Sequence, residues 1–139
     1  MNTTVLSLLG YSAWSLMLLG GIAVLRGSLT ATRARAANSF APDGNDVSRF
    51  SGRLCRAHAN CYERLPAVAA ILLVAISTGN TGTTNTLAMW HLLARVAQST
   101  VHLASTSERA VQFRFVFFLA QFLIEIYWTV GLVRIFLAV

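Results

Sequence analysis

The string RAHANCYERLP, residues 56–66, places ionisable and polar side chains at the start of a long apolar run. A charged side chain at the centre of a bilayer costs roughly 2.5–3.5 kcal/mol on insertion scales. Such residues therefore need a partner, an aqueous cavity or a position at the membrane interface. The string predicts a polar pocket inside a membrane bundle, and its candidate members are Arg56, His58, Asn60, Glu63 and Arg64.

Helical spacing groups the polar side chains of this region and of two later segments into seams, each a set of polar residues on one helix face. Arg56, Asn60 and Glu63 stand at positions i, i+4 and i+7 and share a face. The two later seams are Arg95, Gln98 and His102, and then Arg114, Gln121 and Glu125. Seams on three neighbouring helices predict one site at which they converge.

Structural roles are the alternative interpretation of these seams. Arg56 and Arg114 lie within about a turn of the predicted interface, where long side chains extend to the headgroups. Glu63 and Arg95 lie deeper, and they are able to neutralise each other as an interhelical pair because buried charges are usually paired.

Two other features also have structural interpretations. His91 is interpreted as a core or interfacial histidine, and Glu125 as a hydrogen-bonding residue between helices or subunits. A row of phenylalanines is typical of lipid contact or packing, with a groove for a lipophilic substrate as the alternative. Its members are Phe113, Phe115, Phe117, Phe118 and Phe122.

The composition indicates one membrane-embedded domain. The 139 residues are 55% hydrophobic and 12% charged, and this balance is too apolar for a small water-soluble domain. The net charge is +6, and every basic residue is an arginine. These arginines flank hydrophobic segments instead of forming a separate basic module, which argues against nucleic acid and for membrane lipid as a partner.

The cysteines predict neither a disulfide nor a metal site. Cys55 and Cys61 are six residues apart, a separation that turns their side chains well apart on a helix. No cluster of histidine and cysteine has the spacing of metal ligands. Both thiols are expected to be reduced and to serve in packing.

Hydropathy predicts an all-α fold, an integral-membrane four-helix bundle. The predicted spans are residues 5–26, 54–77, 87–105 and 110–137, with a long loop at residues 27–53. Six arginines lie in or beside this loop and two beside the third loop, whereas the amino terminus and the second loop have none. The positive-inside rule then places the arginine-rich loops in the cytoplasm and both termini outside it.

The string RAHANCYERLP, with the later RVAQSTVH segment and a closing arginine-containing turn, resembles the MAPEG family, the membrane-associated proteins in eicosanoid and glutathione metabolism. The resemblance covers nearly the whole chain and rests on Arg56, Ala57, Asn60, Glu63 and Pro66. It implies a bacterial-type member in the inner membrane, assembled as a homotrimer. It also implies that glutathione binds between adjacent subunits near the cytoplasmic face.

The same resemblance implies roles for individual residues. Arg109 aligns with an arginine that activates the thiol in some members, and Arg114 is the second choice because the short turn aligns either way. The implied glutathione contacts are Arg33, Arg56, His58, Asn60, Glu63, Arg95, Gln98 and His102. Ala59, Gln98 and His102 depart from the pattern of the eicosanoid-converting members, which argues against assuming an eicosanoid reaction.

Three functional hypotheses follow from the sequence. The first is a membrane glutathione transferase, with peroxidase activity as a variant, that conjugates glutathione to a lipophilic small molecule. A guanidinium beside the sulfur would favour the thiolate, since a free thiol has a pKa of about 8.5. The second is a non-enzymatic scaffold that binds lipophilic ligands. The third is a small proton-coupled transporter that uses Glu63.

Overall fold

The computed structural model describes residues 2–138, which form four α-helices without a strand. The helices are α1 (Thr3–Ala31), α2 (Arg49–Ser77), α3 (Gly82–Ala104) and α4 (Glu108–Leu137). The predicted all-α fold with four helices is confirmed. Both predicted packing thiols, Cys55 and Cys61, are free and buried.

Polar side chains begin three of the helices. Asn2, Ser48 and Ser107 each accept a hydrogen bond from a backbone N–H in the first turn of α1, α2 and α4. This is the usual way to satisfy N–H groups that lack an intrahelical partner. The chain leaves α2 through Gly79, whose φ of 74° lies in the left-handed region that glycine adopts without steric cost.

The helices pack as a rhombus. α3 contacts the other three helices, and α1 packs on α2 and α3. α2 and α4 contact each other only lightly, and within residues 2–138 α1 does not contact α4. A groove therefore runs between α2 and α4, and α3 forms its floor. The buried core is centred on Tyr11, Ala57, Leu72 and Trp128.

Three helices, α1, α2 and α4, are long and apolar enough to cross a bilayer. Many of their large apolar side chains face outward, as expected of helices that contact lipid. α3 is more polar, because it carries His91, Arg95, Gln98 and His102, all of which are buried in the bundle. The architecture is that of a membrane helical bundle.

The long loop is shorter than the sequence predicted. α1 continues to Ala31, and α2 begins at Arg49 instead of near residue 54. Ser28 and Thr30 fall within the predicted loop, but their hydroxyls donate to the Leu25 and Arg26 carbonyls at 2.8 and 3.1 Å. Hydroxyls bonded to their own helix let the helix continue into the polar segment.

The start of α3 also differs from the prediction. Residues 78–86 separate the second and third predicted spans, yet helix begins within this segment at Gly82. The Asn85 side chain accepts a hydrogen bond from the Thr4 backbone N–H at 3.0 Å, and the Thr4 and Thr84 hydroxyls lie 2.6 Å apart. These polar residues therefore join α1 to α3 instead of facing solvent.

Close packing of α3 against α4 gives a first testable prediction. A methyl group at Gly131 would lie 2.7 Å from Cγ2 of Thr83, and overpacking of this kind costs about 1–3 kcal/mol. We expect Gly131→Ala to lower the thermal stability of the detergent-solubilised protein. Thr83→Ser removes the clashing methyl, so the double variant should recover most of the loss. If the double variant is no more stable than Gly131→Ala alone, the contact is not the cause.

The loop between α1 and α2 gives a second prediction. The Asp46 carboxylate accepts from the Ala41 backbone N–H at 3.2 Å and pairs with Arg35 at 2.8 Å. The Ala41 hydrogen bond, followed by the Arg35 charge, lowers the pKa of Asp46. A lowered carboxyl pKa stabilises the fold at neutral pH, and this contribution disappears as the pH falls through that pKa.

NMR measures this effect directly. We expect the Ala41 amide signal to titrate with an apparent pKa below the ordinary aspartate value of about 3.9. The titration should be absent in Asp46→Asn. A midpoint at or above the ordinary value would contradict the proposed loop contact.

Candidate functional site

The groove between α2 and α4, here called the α2–α4 groove, opens at the end of the bundle that carries the long loop. Its outer part has a volume of about 470 Å³, and a more open recess farther along the groove adds a volume of about 200 Å³. The two share His102, Val111 and Arg114 and are therefore continuous. The outer part is also lined by Asn45, Arg49, Gly52, Arg53, Arg56 and Thr106, and the recess by Asn60, Gln98, Phe115 and Phe118.

The α2–α4 groove is strongly cationic. Four arginines line it, namely Arg49, Arg53, Arg56 and Arg114, and none of the lining side chains is acidic. The amino-terminal end of α2 opens into it as well, and the partial positive charge there favours anions. The groove is therefore suited to a ligand with more than one negative group.

Three of these arginines are unpaired. Within residues 2–138, the guanidiniums of Arg49, Arg56 and Arg114 form neither a salt bridge nor a hydrogen bond. In contrast, Arg53 donates from Nε to the Leu103 carbonyl at 2.7 Å, which joins α2 to the carboxyl end of α3. Arg56 on α2 and Arg114 on α4 thus offer free donors from opposite walls, an arrangement that can hold a carboxylate or a thiolate.

A chain of amides supports the α4 wall. Gln98 donates to the Arg114 backbone carbonyl at 3.2 Å and accepts from the Gln121 side chain at 3.1 Å. Gln121 also donates to the Phe117 carbonyl at 2.8 Å. Gln98 and Gln121 are buried, so these bonds fix α3 against α4 beside the groove.

Deeper in the bundle, Arg64, Glu125 and His91 form a cluster, here called the ion triad, that joins α2, α4 and α3. Arg64 Nη2 donates to both Glu125 oxygens at 2.8 and 2.7 Å. His91 Nε2 lies 2.9 Å from Glu125 Oε1, and the His91 side chain is fully buried. The triad agrees with the interpretation of Glu125 as an interhelical hydrogen-bonding residue and of His91 as a core histidine.

Five of the predicted site residues meet in the α2–α4 groove. Arg56, Asn60, Gln98, His102 and Arg114 come from three helices and line its two parts. The predicted seams therefore do converge, although not every member of each seam reaches the groove.

Other predicted residues lie elsewhere. Arg33 is exposed at the end of α1 with a φ of 57°. Arg109 is exposed in the first turn of α4. Arg95 is fully buried behind the groove, where Nη1 donates to the Asn60 carbonyl at 3.4 Å. Glu63 is exposed on α2. In the part of the chain that the structure describes, Glu63 and Arg95 form no ion pair.

A second cleft of about 520 Å³ lies on the other side of α2, against α1. His58 lines it together with Arg26, Asp43, Cys55, Ala59 and Tyr62. Arg56 belongs to both clefts because it stands on the exposed edge of α2.

The sequence patterns did not place Arg49 or Arg53 among the candidate site residues. Arg49 and Arg53 counted only toward topology, because α2 was expected to begin later. With Arg49 as the first residue of the helix, Arg49, Arg53, Arg56 and Asn60 follow the spacing i, i+4, i+7 and i+11. This extended spacing is the sequence signal that identifies Arg49 and Arg53 as members of the same helix face. Arg64 is one of the predicted pocket residues, but its pairing with Glu125 has no signal in the sequence because Glu125 lies on another helix.

The fold and the groove define an integral-membrane helical bundle with a cationic groove at one end. A model of the MAPEG family matches residues 5–134, and the chain belongs to this family. No curated protein and no solved structure gave a significant match to the chain. Family membership supports membrane glutathione transferase activity or a related function in general terms.

Proposed function

We propose that the protein is a membrane-bound glutathione transferase and that the α2–α4 groove is its glutathione site. The observation that carries this proposal is the pair of unpaired guanidiniums, Arg56 and Arg114, that face one groove without an acidic lining residue. Glutathione has two carboxylates, an α-ammonium, two peptide groups and a thiol. Its excess negative charge complements the groove.

The groove offers places for the carboxylates, a peptide group and the thiol of the tripeptide. Arg49, Arg53 and Arg56 at the outer end are suited to the carboxylates, and the Asn60 amide to a peptide group. Arg114 stands where the cationic part meets Phe115 and Phe118 of the recess. A thiol at this junction would lie beside both a guanidinium and an apolar surface.

The proposed reaction needs a thiolate in contact with an apolar electrophile. Arg114 lowers the pKa of the bound thiol by favouring its charged form, and the thiol proton passes to solvent. The sulfur then forms a bond to the electrophilic carbon while the leaving group departs with its electron pair. The guanidinium stabilises the sulfur charge until that bond forms. We place Arg114 before Arg109 in this role because Arg114 lines the groove.

We also propose that the protein is a homotrimer. Arg56, Asn60 and Glu63 are exposed on a helix that is apolar enough to cross a membrane. Polar side chains are costly against lipid, so a neighbouring subunit is the expected cover. In this assembly Glu63, His58 and Arg33 are proposed to face the glutathione site at the subunit boundary. The arginine-rich end is proposed to lie in the cytoplasm, with both termini outside it.

Titration of the detergent-solubilised protein with glutathione tests the proposed function. Calorimetry measures binding, and ultraviolet absorbance measures thiolate formation. We expect saturable binding with thiolate formation, together with loss of binding in Arg56→Met/Arg114→Met. Arg134→Met is the matched control, since Arg134 lies on α4 at the opposite end of the bundle. No binding would refute the proposal, whereas binding without a thiolate would favour a non-enzymatic scaffold.

A further inference from the structure

The proposed reaction does not use one contact that the ion triad makes. The Arg64 guanidinium lies over the ring of Phe118 at 4.8 Å from its centroid. Phe118 lines the recess of the α2–α4 groove, but Arg64 itself does not. The triad is thus connected to the groove through this one aromatic ring.

The Phe118 ring is part of a stack along α4. It packs against Phe115 with centroids 6.2 Å apart and an interplanar angle of 25°. It packs against Phe122 at 5.9 Å with an angle of 8°. Both rings are exposed. The three rings form a strip, here called the aromatic strip, that begins beside Arg114.

The position of Arg64 is closely determined. Glu125 binds its Nη2 through both carboxylate oxygens, and His91 orients Glu125 from α3. The Arg64 side chain is only 17% exposed. A guanidinium held on one side by an ion pair presents its flat face on the other, which is the geometry of a cation–π contact.

We propose that Arg64 is a positioning residue that fixes Phe118 as an aromatic wall of the α2–α4 groove, and that this wall binds a planar aromatic ring of the second substrate. The inference rests on the proposed glutathione site. The electrophile would stack on the aromatic strip, with its reactive carbon toward the thiolate at Arg114. Offset stacking on phenylalanine selects flat π-systems over flexible aliphatic chains.

Binding of two stable glutathione derivatives tests this proposal without any turnover. S-(dinitrophenyl)glutathione carries a planar ring on the sulfur and S-methylglutathione does not. Calorimetry gives the Kd of each, and their ratio isolates the ring contact. We expect the wild-type protein to bind the dinitrophenyl derivative about tenfold more tightly, as one good aromatic contact provides.

Variants of the wall should remove this preference. Phe118→Leu is expected to bring the ratio of the two Kd values to about twofold or less. Phe113→Leu is the matched control, because Phe113 is exposed on the same helix but outside the lining of the groove. Its ratio should equal that of the wild type.

The Arg64→Met/Glu125→Met variant tests the positioning role, since it removes both charges together. It should lose the preference while its Kd for glutathione stays unchanged, whereas a general structural defect would weaken both ligands. Arg64→Lys should keep only part of the preference for the dinitrophenyl derivative. This variant replaces the double variant in the test if the double variant does not fold. If Phe118→Leu loses the preference for the dinitrophenyl derivative but Arg64→Met/Glu125→Met keeps it, the proposed positioning role of Arg64 is refuted. A wild-type ratio near one would refute the aromatic wall, and absence of glutathione binding would refute the proposed function itself.

Discussion

Arg114→Met is expected to lower kcat/KM for conjugation of glutathione to a chlorinated nitrobenzene by about 10²–10³-fold. Removing one preorganised donor from a developing or reacting anion has this effect in other enzymes. Arg114 lines both parts of the α2–α4 groove and has no salt-bridge partner within residues 2–138. Its charge is therefore available to the sulfur. Stopped-flow absorbance, which follows formation of the bound thiolate, should show a corresponding loss of thiolate in Arg114→Met.

Arg109→Met is the matched comparison for this experiment. Arg109 lies five positions earlier on α4, is exposed, and is not part of the lining of the groove. We expect its kcat/KM to stay within about threefold of the wild type, a range typical of surface substitutions. The opposite result, with Arg109→Met inactive and Arg114→Met active, would assign activation to Arg109. Unchanged turnover in both would remove arginine activation from the mechanism.

Arg64→Met is expected to cause the largest loss of stability. It leaves the Glu125 carboxylate, whose side chain is only 12% exposed, without a guanidinium and with the His91 ring as its remaining partner in the triad. Breaking a buried pair by removing one partner typically costs about 3–5 kcal/mol. Unfolding of the solubilised protein, followed by helical circular dichroism, should therefore show a markedly lower midpoint than the wild type.

Two further variants separate the ion pair from other effects of losing an arginine. Arg64→Met/Glu125→Met removes both charges, and we expect it to recover more than half of the lost stability, because neutral pairs of similar volume are tolerated. Arg134→Met removes an exposed arginine that has no salt bridge within residues 2–138. It should change stability by about 0.5 kcal/mol or less. Equal losses in the single and double variants would show that the triad contributes nothing as a pair.

The four helices and part of the site could be predicted because both depend on local patterns. Hydropathy over about twenty residues identifies a helix that can cross a bilayer. The spacing of Arg56 and Asn60 on α2, and of Gln98 and His102 on α3, identifies residues on one helix face. Those four residues do line the α2–α4 groove.

The remaining features depend on how the helices rotate and pack against each other. Glu63 and Arg64 are neighbours in sequence and point about 100° apart on a helix. The sequence does not show which of them faces α4, and in the structure it is Arg64. The start of α3 differs from the prediction for a related reason, since the partners of Thr84 and Asn85 lie on another helix.

The polar character of α3 has a consequence for biogenesis. Arg95 is fully buried, and its Nε and Nη2 atoms have no hydrogen-bond partner within residues 2–138. A segment with such a side chain partitions poorly into lipid by itself. α3 packs on all three other helices, so its stable integration depends on neighbours that cover the guanidinium. The nascent chain is thus expected to integrate α3 together with the helices on either side of it, as a unit rather than one span at a time.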